Sequence, residues 1–345
     1  MLDAFRFLRD ISKPKGGGLQ TAVADRDGIT KVRCLHARKD TEVLVEVELA
    51  EAPDSPTVWR YVLGFNAGGK GAQRIVITRE EVWHAGEQIV ARPNANDSAD
   101  VMLLTQTHLE QIQTNGRFRD LVEFFSNTTY LHLVPQLLKF AGKIGGRHLE
   151  DDPFGQGFLD RIAKTPEKTR NARLNKITKA LTLAVPQFKE LRFTTVLGHP
   201  HLEALYAHHR PNAGWQSEEH FSDGTLRLLS LLWTLLDGNS LILLEEPEIS
   251  LNDAIVKEIP LILHRLQRDR KVKRQIILST HSEALLSNPG IDGRGVVVLE
   301  TGAQGSTGRT LAEDESCALQ AGLTVAEVVL PKTRPTSVNQ LGLWH

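Results

Sequence analysis

Along residues 41–49 hydrophobic and polar side chains alternate. Val43, Val45, Val47 and Leu49 fall on one side; Glu42, Glu46 and Glu48 fall on the other. A period of two is that of a half-buried strand. Residues 1–11 follow a different period: Leu2, Phe5, Leu8 and Ile11 recur at helical spacing, and SKPKGGG then stops the helix. Further strands are expected around Val58–Phe65 and Arg74–Thr78, with NAGGKGAQ between them as a hairpin loop. The polar, breaker-rich ARPNANDSA at 91–99 marks a boundary. From about Val101 to Val196 the pattern predicts mostly helix. One apolar face is Leu121, Phe124 and Phe125, and another is Leu174, Ile177 and Leu181. Beyond Thr194 short apolar runs alternate with helices. Ser240–Leu244, Gln275–Ser279 and Val296–Glu300 read as buried parallel strands, with helices over about Thr225–Leu236 and Asn252–Gln267. The alternation predicts an α/β fold: a mainly parallel sheet covered by helices, an N-terminal β-meander and a helical insertion.

Composition narrows the classes. The chain has 345 residues, 41% hydrophobic and 24% charged, which suits a globular protein with a sizeable core. A formal net charge of -1 gives no global field toward nucleic acid or membrane, so any such contact needs a local basic patch. Cys34 and Cys317 are the only cysteines, so no disulfide framework follows and a reducing cytoplasm is expected. MLDAFRFLRD mixes acids and arginines with its apolar residues, unlike a signal peptide. No apolar run approaches the roughly 20 residues of a membrane helix.

In an open parallel sheet, ligands bind beyond the carboxyl ends of the strands. Glu245 and Glu246 follow one apolar run directly, and Ser279, Thr280 and His281 end the next. One carboxylate there can hold Mg²⁺, which favours oxygen ligands and keeps most of its waters. The other can orient a water for attack on phosphorus, and the histidine can steady an outer phosphate. The alternative for EEPE is a polar strand-end turn stopped by Pro247. Upstream, Ser222 is a good N-cap before an apolar stripe at Leu226, Leu229, Leu232 and Leu236. Ser222, Asp223 and Gly224 thus stand at a helix N-terminus, which favours an anion, and glycine permits close approach of a phosphate. A well-capped core helix is the alternative.

Taken in order, these motifs resemble the ABC-type ATPase heads of the chromosome-maintenance, RecF and overcoming-lysogenization-defect group. FSDGT at 221–225 resembles the signature motif, and LILLEEPE at 241–248 the Walker B strand. ISLND at 249–253 resembles the D-loop, and STHS at 279–282 the switch. The resemblance implies a P-loop NTPase-like fold and a head made of residues 1–100 and 196–345, with 101–195 as the insertion. It implies ATP and Mg²⁺ as ligands, Glu245 near the metal in place of the usual aspartate, Glu246 as the catalytic glutamate and His281 as the switch histidine. Ser222, Asp223, Gly224, Asn252 and Asp253 would meet nucleotide in trans, in a homodimer or higher oligomer. Hydrolysis would switch a DNA-related or phage-defence effector, for instance a nuclease.

One motif of that group is not found. No GxxxxGK[ST] occurs in residues 1–345; KGGGLQ at 15–20, GGKGA at 68–72 and GKIGG at 142–146 lack its ending and setting. Because MLDAFRFLRD resembles the helix that follows that loop, a start one strand and one loop downstream is the expected account. A degenerate, non-hydrolysing scaffold that lends its signature helix to a partner is the alternative.

Two basic runs remain. Arg161, Lys164, Lys168, Arg170, Arg173, Lys176 and Lys179 form one; Arg265, Arg268, Arg270, Lys271, Lys273 and Arg274 form the other. Either could contact DNA backbone or be a solvated helix face. His199, His201, His208 and His209 suggest a metal only if a further ligand completes the set.

Overall fold

The computed structural model describes residues 1–34, 41–68, 74–140, 152, 154–207, 214–268, 274–302 and 305–333. The chain divides into two compact units, Met1–Thr128 with Leu299–Thr307, and Thr129–Val298 with Gly308–His345.

The first unit opens with α1 (Leu2–Ser12), which buries Leu8 and Ile11 as its spacing predicts. The short helices α2 (Leu19–Ala24) and α3 (Ile29–Val32) follow. Neither spans enough turns to show a period, and neither was expected. Strands β1 (Val43–Ala50), β2 (Thr57–Gly68), β3 (Arg74–His84) and β4 (Glu87–Arg92) make an antiparallel meander in that order. In β1, Val47 is buried while Glu46 and Glu48 are exposed, so the alternation was correctly read. Residues 69–73 of the expected hairpin loop lie outside the described residues. Helices α4 (Ala95–Ala99) and α5 (Arg119–Ser126) follow the meander. Leu8, Ile11, Tyr61, Phe65, Ile77, Leu121 and Phe125 share its core.

The 91–99 stretch, expected as a boundary, carries buried ions instead. The Arg92 side chain is 1% exposed and pairs with Glu80 at 2.8 Å and Asp97 at 2.7 Å. It also donates to the carbonyls of Leu103 at 2.8 Å and Gln106 at 2.9 Å. A buried charge persists when it is paired and hydrogen-bonded on all sides, and this one is. Residues 101–128 group with the meander.

The second unit contains β5 (Thr129–Leu131), α6 (Pro135–Lys139), α7 (Phe158–Lys164), α8 (Glu167–Ala184), β6 (Phe188–Val196), β7 (His199–Tyr206) and β8 (Gln216–Ser217). Next come α9 (Asp223–Leu236), β9 (Ile242–Glu245), α10 (Asp253–Arg268), β10 (Ile276–Ser279) and α11 (Glu283–Leu286). Strands β10, β9 and β5 form a parallel sheet in that order, and β6, β7 and β8 an antiparallel one. The strands expected at 240–244 and 275–279 are therefore present and parallel. The 101–196 stretch is less helical than expected, because β5 and β6 interrupt it. Three residues of strand carry no readable period; β5 is specified by its partner, with Thr129 N–H donating to the Leu241 carbonyl at 2.9 Å.

The third expected parallel strand is a correction. Val296–Glu300 contributes to β11 (Val297–Gly302), which pairs with β12 (Gly305–Thr310) rather than joining the parallel sheet. Val298 is its one buried residue among exposed neighbours, packed on Val325 and Val329 of α13 (Val325–Thr333), which follows α12 (Glu313–Gln320). An apolar run alone does not say which sheet it enters.

Helix α9 is apolar on nearly every side, with Leu226, Leu228, Leu229, Leu231, Leu232, Trp233 and Leu235 buried; such a helix belongs in a core. At its carboxyl end the Arg274 guanidinium donates to the carbonyls of Thr234 (2.8 Å), Leu235 (2.6 Å), Asp237 (2.5 Å) and Gly238 (3.2 Å). Carbonyls in the last turn of a helix have acceptor capacity to spare, and a cation suits that end of the dipole. Arg274 is thus a buried cap and not part of an exposed basic run; Arg270, Lys271 and Lys273 lie outside the described residues. The fold is α/β, with a parallel sheet and packed helices.

Candidate functional site

Two strand ends meet at one mouth. Glu245 and Ser279 are register partners at the carboxyl ends of β9 and β10. The chain then turns sharply: Glu246 has φ 42°, uncommon for a residue other than glycine, and its N–H donates to the Ser279 carbonyl at 3.1 Å. This turn brings the Glu246 carboxylate to the next residues of the other strand. His281 Nδ1 lies 2.9 Å from Glu246 Oε1, with the imidazole 80% exposed. Glu245 is held from the opposite side, where the Tyr130 hydroxyl of β5 donates to its Oε2. Tyr130 was not singled out from the sequence; it stands 115 residues from its partner, and no local pattern links them.

The α9 N-terminus has the expected cap. Ser222 Oγ accepts the Thr225 N–H at 3.1 Å and lies 2.8 Å from Thr225 Oγ1. Ser222 is exposed, and Asp223 and Gly224 are half-buried. Two details differ from the expectation of an open anion site. Asp223 is engaged by Lys139 at 2.8 Å and Gln136 at 2.7 Å, both on α6. Gly224 faces the chain's own backbone, since a Cβ there would lie 2.6 Å from the Ser250 carbonyl oxygen. The glycine therefore admits the 249–253 turn, and only beyond that an external phosphate. Asn252 Oδ1 accepts the Ala254 N–H at 2.9 Å and starts α10, while Asp253 is exposed in its first turn.

Arg227, one turn into α9, was also not singled out. It lines a water-sized cavity of about 10 Å³ with Glu245, Pro247, Leu131 and Leu244. Burial draws its guanidinium below its ordinary value, against the pull of Asp223, Glu246 and Glu248.

Among the described residues no group of three His, Cys, Asp or Glu side chains could hold a metal by itself. His201 is instead paired with Glu218 at 2.8 Å, and His208 and His209 lie outside the described residues. Glu245 and Glu246 fit the kind of site Mg²⁺ uses with phosphates, in which one or two carboxylates share the ion with substrate oxygens and water. In the first basic run, Arg170 stacks on Phe193 at 4.2 Å and Arg173 pairs with Asp237 at 2.8 Å. Lys164, Lys168, Lys176 and Lys179 remain exposed. No helix among the described residues is long and apolar enough to cross a membrane.

Comparison with known proteins places the chain. Among solved structures it is similar to an SMC head bound to the C-terminal winged-helix domain of ScpA. Identity is 16%, covering 91% of this chain and 88% of that one, with a TM-score of 0.44. It is also similar to an SMC head with an extended coiled coil from Pyrococcus furiosus (12% identity, 79% and 82% covered, TM-score 0.37). A third is the SMC head domain from Thermotoga maritima (13% identity, 76% and 79% covered, TM-score 0.32). No curated protein matches the sequence. The model of the family described as "AAA domain, putative AbiEii toxin, Type IV TA system" matches residues 1–287, and the chain belongs to that AAA-type ATPase family.

Proposed function

We propose that this protein is an ATP-hydrolysing head that closes as a dimer around nucleotide and opens on hydrolysis. The observation that carries the reading is the convergence of Glu245, Glu246 and His281 at the ends of two paired parallel strands. Glu246 is the residue that would orient the attacking water and take its proton, and the adjacent His281 the one that would face the outermost phosphate. Glu245, steadied by Tyr130, would hold Mg²⁺, which when bound neutralises phosphate charge. The capped start of α9, with Ser222 exposed, would meet nucleotide held by the opposing head, with Asn252 and Asp253 at the same face. No GxxxxGK[ST] occurs in residues 1–345, and the reading requires a phosphate cradle of another kind or from another segment. In the described residues β10 is an edge strand of the parallel sheet, and its carboxyl end leads to His281. The toxin–antitoxin wording of the family description suits a switch that governs an effector, and the exposed lysines on α8 suit a weak contact with DNA backbone.

The test is turnover by the full-length protein. Glu246→Gln should lower kcat by about 10²–10⁴ while ATP binding persists. Turnover near the wild-type rate would reject Glu246 as the base. A second reading, a non-hydrolysing scaffold, is favoured by the absent cradle; it predicts no turnover by the wild type and retention of the α9 surface for a complete partner.

A further inference from the structure

The third acid of EEPE has no role in the reaction just outlined. Glu248 is 8% exposed, more deeply buried than either acid before it. Its Oε1 accepts the hydroxyl of Thr280. The same Thr280 oxygen accepts the Ser282 N–H at 3.0 Å, and Ser282 Oγ accepts the Leu285 N–H at 3.3 Å to cap α11. This chain of bonds brackets His281. The residues on both sides are pinned, yet the imidazole itself is 80% exposed. A side chain in that much solvent is not held by packing, so its reach to Glu246 depends on its backbone.

Glu248 Oε2 is buried without a hydrogen-bond partner, as is Arg227 Nε. A buried carboxylate oxygen left unpaired costs free energy, so the position is not one that packing alone would select.

We propose that Glu248 is a positioning residue that, through Thr280, fixes the backbone on both sides of His281 and so sets the imidazole against Glu246. The functional consequence rests on the reading of His281 given above, but the bond chain itself can be tested without nucleotide.

The experiment is amide hydrogen exchange of the nucleotide-free protein, with Leu243 and Leu244 in β9 as internal references. Thr280→Val keeps the shape and removes the hydroxyl. Exchange at Ser282 should then quicken by roughly tenfold while the β9 amides stay unchanged. Thr280→Ser restores a hydroxyl and should hold Ser282 within about twofold of wild type. Glu248→Gln keeps an acceptor for Thr280 and should resemble Thr280→Ser, whereas Glu248→Ala should resemble Thr280→Val. The proposal is overturned if Thr280→Val leaves Ser282 unchanged, if Thr280→Ser exchanges as fast as Thr280→Val, or if β9 quickens equally. In turnover, Thr280→Val should lower kcat at constant KM, with recovery in Thr280→Ser; a change confined to KM overturns the role. Absence of turnover in the wild type would sink the ATPase reading and leave the exchange result standing.

Discussion

Gly224→Ala separates two reasons for a glycine at the start of α9. If it serves only an incoming phosphate, the substitution should spare the nucleotide-free protein. The geometry says otherwise: the new Cβ would sit 2.6 Å from the Ser250 carbonyl oxygen and 3.6 Å from Leu251 Cδ2. The first contact is with backbone, and Ser250 is itself held at φ 64°, so the obstructing atom cannot swing aside as a side chain would. Overpacking of this kind costs about 1–3 kcal/mol, and a rigid backbone contact belongs in the upper half of that range. Alanine's better helix propensity returns about 1 kcal/mol. The net loss is then about 1–2 kcal/mol, or roughly 2–8 °C in Tm for a unit of this size. Thermal melting without nucleotide measures it. Gly116→Ala is the control, because a Cβ there meets nothing within 4 Å; it should be neutral or gain up to about 1 kcal/mol. A Gly224→Ala protein melting within about 1 °C of wild type would refute the packing argument.

Three other outcomes follow from buried charges. Arg92→Met strands the carboxylates of Glu80 and Asp97 and should cost about 3–5 kcal/mol in urea unfolding; a loss under about 1 kcal/mol would contradict the network. Arg274→Met removes the guanidinium shared by the carbonyls at the end of α9 and should cost about 2–4 kcal/mol by the same measurement; an unchanged midpoint would contradict its capping role. His108 is drawn down to about 4 by burial and then by Arg92, so the folded protein resists protonating it. An unfolded histidine titrates near 6.5, so the unfolded state binds more protons between these values and stability falls as pH drops from about 6.5 to 4. His108→Gln should flatten that limb of the melting profile, and an unaltered slope would contradict the assignment.

The candidate mouth was legible because its residues are grouped locally. Paired acids after an apolar run, STHS after the next, and a serine before a leucine-rich helix each announce themselves within a few residues. What supports the mouth was not legible. Tyr130 reaches Glu245 from a three-residue strand far back in the chain, and the Glu248–Thr280 bond joins two loops. Such pairs exist only after the sheet has formed, so periodicity cannot show them. The same limit explains β11: the run at 296–300 is apolar enough for a core strand, and only its pairing with β12 sets it apart. Gly224 is expected from the sequence to admit a phosphate, whereas the group that comes close to it within the chain is the Ser250 carbonyl.

The most direct measurement is the mass of the full-length Glu246→Gln protein by sedimentation, with and without Mg²⁺ and ATP. A monomer that becomes a dimer only with nucleotide, and fails to do so when Ser222→Arg is added, is the predicted result. A mass indifferent to ATP, or an ATP-dependent dimer that tolerates Ser222→Arg, would contradict the claim that α9 completes the site of a second copy.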